Sequence, residues 1–425
     1  MFTWAQLTES IYLLMKKTIQ IEQSLIDIRN AGVFAGNRTK PIHRWYPYIE
    51  GYSADLVEWA LKITDTENPR ILDPFGGSGT TNLVAAEHNL SSWFCEVNPF
   101  MAWMADVKIN ISRNITRSED LNDLFTFKTA LEKGMAQRFK KTQYTTIVTV
   151  DEKRKFFPPD VANIVCSTLN WIEQNLDDPV KQLAKVAVAV SLVPSSSMVR
   201  RTDLRRRTSK DPKPQIFTNT AIRALDMIIE DLQPSRREWT SIATLMANDI
   251  RNIPDGSGQF DLIVTSPPYL NGTNYCRNTK LELLSLEFIN SEAGLSQFRN
   301  ESITAGINSV SKQRLPPSQM KVVEPVAKQL DVCAYDQRIP QLVRLYFSDM
   351  TEALRKLRSV SSADAQLILD IGDSKFAGVH IATDQLLGKC AETVGWRVVD
   401  SMPVRKRRSY DGTELGQVVI RMVPN

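Results

Sequence analysis

Two short segments carry residue types and spacings suited to chemistry. The first is Asp73-Pro74-Phe75-Gly76-Gly77-Ser78-Gly79-Thr80. Glycines let a chain turn sharply and let a ligand approach the backbone closely. The spacing is not the GxGxxG of nicotinamide sites, and it is not GxxxxGK[ST], which removes a P-loop reading. Two carboxylates stand where a nucleoside could meet them. Glu96 ends the next strand signal, a place from which it can accept from ribose hydroxyls, and Asp249 follows a later strand signal and could receive an adenine amine. The second segment is Ser266-Pro267-Pro268-Tyr269, directly after the apolar strand signal ending at Val264. Two prolines freeze the local backbone and remove two donors, so nearby carbonyls point outward unpaired. A hydroxyl before them and a ring after them make a rigid cup with acceptors at one edge and a stacking face. That cup suits a planar heterocycle with an exocyclic amine. Such an amine is a poor nucleophile because its lone pair is delocalised, and accepting hydrogen bonds from its protons returns electron density to nitrogen.

The elements that must hold these segments follow from the surrounding pattern. Arg70–Leu72 reads as a strand, a helix runs from Thr80 to about His88, and Trp93–Glu96 reads as a second strand ending at Asn98-Pro99. Strand, glycine loop, helix, strand with a terminal acid is the start of a doubly wound α/β sheet. Further strand signals occupy Ile242–Met246, Phe260–Val264, Ala365–Ile371, Trp396–Met402 and Gln417–Val423, giving seven in all. The last two lack room for a crossover helix and must pair antiparallel. The fold expected is therefore α/β, Rossmann-like, with an antiparallel last strand. Residues 115–235 are helical in texture and read as an insertion into this domain, which itself takes 35–114 and 236–425. A second, polar insertion spans 290–335, rich in Ser, Gln and Asn. Residues 1–34 form an amino-terminal extension whose apolar positions from Ile11 to Ile28 follow a helical period.

Composition narrows the classes further. The 425 residues are 42% hydrophobic and 24% charged, enough for a large core and unlike a disordered chain. No apolar stretch is long enough to cross a membrane, and the short run Ile11–Met15 is followed rather than preceded by its basic pair, unlike a secretory leader. The five cysteines are scattered with no CxxC, and the three histidines are not paired at helical spacing, so a metal site is not expected. This cysteine usage suits a reducing cytoplasm. The formal charge is only +4, so local clustering matters more than the total.

Taken together, the segments resemble the AdoMet-dependent amino-methyltransferases of DNA, the N4-cytosine and N6-adenine family. Asp73–Thr80 looks like motif I, Glu96 like the motif II acid, Asp249 like the motif III acid and Ser266–Tyr269 like motif IV. His43–Tyr48, containing Tyr46 and Pro47 and followed by a helix from about Ala54, looks like motif X, which closes over the methionine part of AdoMet. The likeness covers about 35–110 and 240–425. It implies S-adenosyl-L-methionine as cofactor without a metal, held by Tyr46, Pro47, Asp73, Pro74, Phe75, Gly76, Gly77, Gly79, Thr80, Glu96, Asn98 and Asp249, with Ser266, Pro267, Pro268 and Tyr269 as the catalytic loop. In that family Ser before PPY usually goes with cytosine N4, and Asp or Asn with adenine N6. The resemblance thus implies methylation of a flipped cytosine in double-stranded DNA. It also implies a restriction–modification role beside a cognate endonuclease. The rival readings are adenine N6 and a catalytically silent DNA-binding subunit.

Target recognition must then come from an insertion. The segment from Arg200 to Lys210 holds Arg200, Arg201, Arg205, Arg206, Arg207 and Lys210 against one acid, and phosphates attract such clusters. Arg405 and Arg407 lie in a second cluster between the last two strands, and Arg277 lies in the rival stretch 270–335 beside Asn271, Asn274 and Tyr275.

Overall fold

The computed structural model describes residues 31–115, 118–139, 144–201, 203–233, 239–254, 256–270, 275–310, 320–408 and 412–425; the helix expected over the first thirty residues lies outside them. Its centre is a seven-stranded sheet: β1 (Ile71–Asp73), β2 (Ser92–Cys95), β3 (Ala243–Ala247), β4 (Phe260–Thr265), β5 (Ser361–Gly372), β6 (Trp396–Arg408) and β7 (Glu414–Pro424). The spatial order is β6-β7-β5-β4-β1-β2-β3. Strands β3, β2, β1, β4 and β5 are mutually parallel, while β7 runs antiparallel to both β5 and β6. Every expected strand is present, and the last pair is antiparallel as its short connection requires. This is the Rossmann-like methyltransferase sheet.

The order has a direct consequence for function. The chain leaves β1 outward to β2 and β3, then returns to place β4 on the other side of β1. Reversal at β1 and β4 opens a crevice at their carboxyl ends, where doubly wound sheets bind ligands. The central strands read as apolar runs because both faces are covered: Ile71, Leu72, Leu262, Ile263 and Val264 are fully buried.

Between β2 and β3 lie helices over Ser118–Glu132, Thr146–Arg154, Val161–Asn175, Val180–Ser195 and Phe217–Asp231, with a small hairpin of Met198–Arg200 and Leu204–Arg206. They are not a detached lobe. Leu169, Leu192 and Leu225 share one continuous core with Leu83, Phe94 and Met104 of the sheet layer. The buried carboxylate of Asp231, ending the last of these helices, accepts from the Ile42 amide at 2.8 Å, from Arg44 and from the Trp45 indole at 3.0 Å. The insertion therefore fastens the segment before the Ala54–Ile63 helix. Helices Arg338–Ser359 and Thr383–Glu392 cover part of the other sheet face. Among the described residues no helix is long and apolar enough to cross a membrane.

Candidate active site

The glycine loop and the Ser-Pro-Pro-Tyr loop leave neighbouring strand tips and are clasped together at their roots. The Thr265 hydroxyl donates to Asp73 at 2.7 Å, the Tyr52 hydroxyl donates to the other Asp73 oxygen at 2.6 Å, and the Phe75 amide donates to the first. Asp73 is wholly buried, and burial pushes its carboxyl up against the pull of these donors. It is a knot between β1 and β4 and does not line the cavity above.

Beyond Asp73 the loop climbs over the crevice. Gly77 and Gly79 adopt left-handed φ values of 50° and 79°. A Cβ on Gly77 would stand 2.7 Å from the Tyr48 ring, and one on Gly79 would stand 2.9 Å from the Ala105 methyl. Both positions thus need glycine for conformation and for space. Lys108, buried in the π-helical turn Val107–Ile111, supports the loop from below, donating to the Ser78 and His43 carbonyls at 3.3 Å. Burial without a carboxylate partner pushes its ammonium down to about 7.

Glu96 faces the loop from the tip of β2. Its oxygens accept from the Gly77 amide at 2.8 Å and the Asn98 amide at 2.7 Å. Burial outweighs these donors and raises its carboxyl to about 7. The Asn98 side chain caps the following helix by accepting from the Phe100 amide, with Pro99 in its first turn, so this corner is rigid.

A cavity of about 700 Å³ joins these parts. Pro74, Phe75, Gly76, Gly77, Thr80, Glu96, Asn98 and Asp249 line it from the cofactor side, and Ser266, Pro268 and Tyr269 from the other. Tyr46, Pro47, Asp73 and Gly79 are not among its lining residues. Tyr46 is buried with its hydroxyl on Glu282, and the neighbouring Tyr48, Glu50 and Tyr52 line the cavity in its place. Pro267 is buried, outside the lining residues. Asp249 lines the wall while holding Arg251 through two contacts of 2.9 and 2.7 Å. The polar insertion contributes Ser302, Ile303 and Ala305–Ser309, so it walls the cavity.

The residues present suit an adenosyl sulfonium. The volume lies in the range of small-molecule pockets. Gly77 keeps the loop bare, Glu96 offers acceptors for hydroxyls, and the Ser78 hydroxyl is buried at the wall with no hydrogen-bond partner among the described residues.

On the catalytic side the sequence left out a set of partners. The Tyr269 hydroxyl donates to Asp370 at 2.8 Å. The Gln417 amide donates to the Tyr269 oxygen at 2.9 Å and to both Asp370 oxygens. The Ser266 hydroxyl donates to the Tyr269 oxygen at 3.5 Å, and burial pushes the Asp370 carboxyl up to about 6. Asp370 and Gln417 come from β5 and β7, facing each other near Gly372, so only the sheet register brings them to the loop. The signal available was Asp370, a carboxylate near the end of an otherwise apolar strand.

The basic residues divide. Arg200 is nearly buried against Glu282 and lies over the Tyr46 ring. Arg205 grips Asp211 with two contacts of 2.7 and 3.0 Å, which hold that carboxyl well below the usual range. Arg206 donates to the carbonyls of Arg154 and Lys155, at the end of the Thr146–Arg154 helix. Arg207 donates to the carbonyls of Val193, Pro194, Ser196 and Pro212, closing the end of the Val180–Ser195 helix. These four meet the protein's own carboxylates and orphan carbonyls, contacts that the basic run did not announce. Arg201 and Lys210 are exposed, Arg201 being 3.5 Å from Asp211. Arg277 pairs with Asp203 at 3.1 Å. Asn271 and Asn274 lie outside the described residues, as does the Tyr275 side chain. Arg405 and Arg407 line the cavity, Arg407 near Tyr269 and Gly372. Among the described residues no cluster of three or more metal-ligating side chains occurs.

No family model matches the chain. It is 24% identical over 419 residues to the Type II methyltransferase M.AvaI of Nostoc sp., covering 90% of this chain and 85% of that protein. It is 22% identical to the Type II methyltransferase M.BsoBI of Geobacillus stearothermophilus over 95% of this chain and 88% of the other. A 72-residue stretch is 38% identical to the Type II methyltransferase M.MjaII of Methanocaldococcus jannaschii, 17% of this chain and 14% of that one. Among solved structures, the rRNA methyltransferase aviRa of Streptomyces viridochromogenes aligns at 12% identity and a TM-score of 0.25 over 87% of this chain and 85% of its own. Over nine-tenths of its length, and with the paired loops on a seven-stranded sheet of this kind, the chain is similar to the Type II methyltransferases M.AvaI and M.BsoBI.

Proposed function

We propose that the chain methylates the N4 amine of a cytosine swung out of double-stranded DNA, as the modification partner of a restriction endonuclease. The observation that carries this reading is the single cavity shared by the glycine loop and Ser266–Tyr269 at adjoining strand tips. The Type II designation of its relatives supports the DNA substrate and the restriction–modification role. AdoMet, when bound, supplies an electrophilic methyl carbon on a positively charged sulfur.

The chain's own residues do the rest. The glycine loop and Glu96 fix the cofactor's orientation. The Tyr269 ring offers a stacking face, and its hydroxyl is fixed by Asp370 and Gln417, so the face does not rotate away. The Ser266 oxygen accepts a hydrogen bond from the amine, returning electron density to nitrogen. As the new N–C bond forms and the C–S bond breaks, nitrogen becomes cationic and must lose a proton. Ser266 can pass it through the Tyr269 hydroxyl, 3.5 Å away, to Asp370, 2.8 Å beyond, whose carboxyl is raised by burial to about 6. Holding both reactants in line supplies much of the rate. Phosphates are met by Arg405 at the cavity mouth, with Arg201 and Lys210 as further exposed cations.

Adenine N6 is the second reading, and one observation favours it. Asp370 places a carboxylate on the Tyr269 hydroxyl, behind the loop whose first position adenine enzymes of the resembling family fill with Asp. Methylating unmodified plasmid DNA, digesting it to nucleosides and mapping modified positions separates the two. N4-methyldeoxycytidine at one repeated sequence is expected. N6-methyldeoxyadenosine replaces this reading with the second, and no methylated base at all removes both.

A further inference from the structure

We propose that Arg407 reads the flipped base, donating to the O2 carbonyl edge of cytosine and so distinguishing it from adenine. This rests on the cytosine reading above. Arg407 lies on β6 where the β6–β7 hairpin reaches the cavity mouth, and its guanidinium carbon is 5.7 Å from the Tyr269 ring centroid. Face-to-face contact would place it about 3.5–4 Å away, so it stands over the ring without close stacking on it.

The position is built. One terminal nitrogen donates to the Asp373 carbonyl. Gly372 makes room: a Cβ there would stand 2.9 Å from the Arg407 terminal nitrogen and 3.1 Å from the Tyr269 ring. Any side chain at Gly372 would push guanidinium and ring away together. The Arg407 Nε is buried and has no hydrogen-bond partner among the described residues. A buried guanidinium N–H without an acceptor is costly, and a ligand acceptor relieves it.

The chemistry of that acceptor follows from the neighbours. Ser266, which lines the cavity, provides the acceptor side of the cup, matching an amine. Arg407 provides only donors. A base presenting an amine at one end of its edge and acceptors along the rest matches both sides. Cytosine does so, with its amine, N3 and O2 in sequence. Adenine has its amine and N1, then a C–H where cytosine has O2.

The test uses DNA carrying the mapped site, with the target as cytosine or as a 2-aminopyridine C-nucleoside. That analogue keeps the amine and adjacent ring nitrogen but has C–H in place of the carbonyl. Its weaker pairing acts alike on every enzyme variant, so the ratio of kcat/KM values on the two targets is the readout. Wild-type protein should prefer cytosine by about tenfold to hundredfold, the worth of a hydrogen bond to a charged group. Arg407→Met should lose that factor on cytosine and bring the ratio near one, with AdoMet affinity kept within about twofold. Arg407→Lys keeps the charge without the planar fork and should also lose most of the preference. Retained preference in either variant, whatever its turnover, overturns the inference, since a phosphate contact or a structural role lowers both targets equally. N6-methyladenine as product sinks the cytosine reading and this inference with it. N4-methylcytosine with an unchanged ratio sinks the inference alone.

Discussion

Glu96 is the residue whose environment makes the sharpest demand on the cofactor. Its carboxyl is raised to about 7 by burial, so near neutrality the free protein holds it partly protonated. Hydroxyl donors from a ribose favour the charged form, and binding must therefore lower its pKa and expel a proton. The sign is fixed: AdoMet affinity should rise as pH climbs through about 7 and weaken below it. Calorimetry at pH 7 in two buffers of different ionisation heat reads the released proton directly. Wild type should release more than Glu96→Gln, because the amide cannot titrate; the cofactor's own amine contributes equally to both. Identical release from the two proteins would show that Glu96 does not meet the hydroxyls. Glu96 was legible in the sequence because an acid ending a strand after a glycine loop is a local pattern. Gln417 was not, because it reaches the cavity only through the β5–β7 register joining distant segments.

Elements decide the fate of the arginine cluster. A helix end leaves carbonyls without partners, and nothing in a run such as Leu204-Arg205-Arg206-Arg207 reveals that two helix ends lie beside it. Arg206 and Arg207 meet those carbonyls, contacts that charge pattern alone does not reveal. Arg207→Ala should destabilise the protein by about 1–3 kcal/mol in urea unfolding, the scale of charged hydrogen bonds lost at a partly buried end. It should leave the slope of log DNA affinity against log salt unchanged. Arg405→Ala should do the opposite, with stability kept and the slope shallower by about one, because a single phosphate contact is lost. A salt slope altered by Arg207→Ala and untouched by Arg405→Ala would return recognition to the insertion. The strands, by contrast, were readable in number and place, although β6 runs on to Arg408 and so carries Arg405 and Arg407, read as lying between the last two strands, within the sheet. Burial on both faces of the central ones writes itself into continuous apolar runs, and the antiparallel finish follows from a connection too short for a helix.

At the scale of the whole molecule, one cavity is walled by segments from both ends of the chain, and its two sides should respond to different ligands. Tyr48–Tyr52, the glycine loop and 302–309 surround the cofactor side, while Ser266, Tyr269, Arg407 and Gln417 surround the base side. The first group is tied to the sheet and the insertion through Asp73, Asp231 and Lys108. The second is tied through Asp370 and Gln417 on β5 and β7. A ligand that binds only the folded state stabilises it by about 2.7 kcal/mol at a hundredfold excess over its Kd. Saturating AdoMet should therefore slow amide exchange in 48–52, 74–80 and 302–309 together, since all three touch one ligand. Exchange at 405–407 should change little until DNA carrying the site is added, because those residues face the base. Slowing confined to 74–80 would mean that the cofactor rests on the glycine loop alone, and slowing at 405–407 by AdoMet alone would mean that the two sides do not divide the cavity between them.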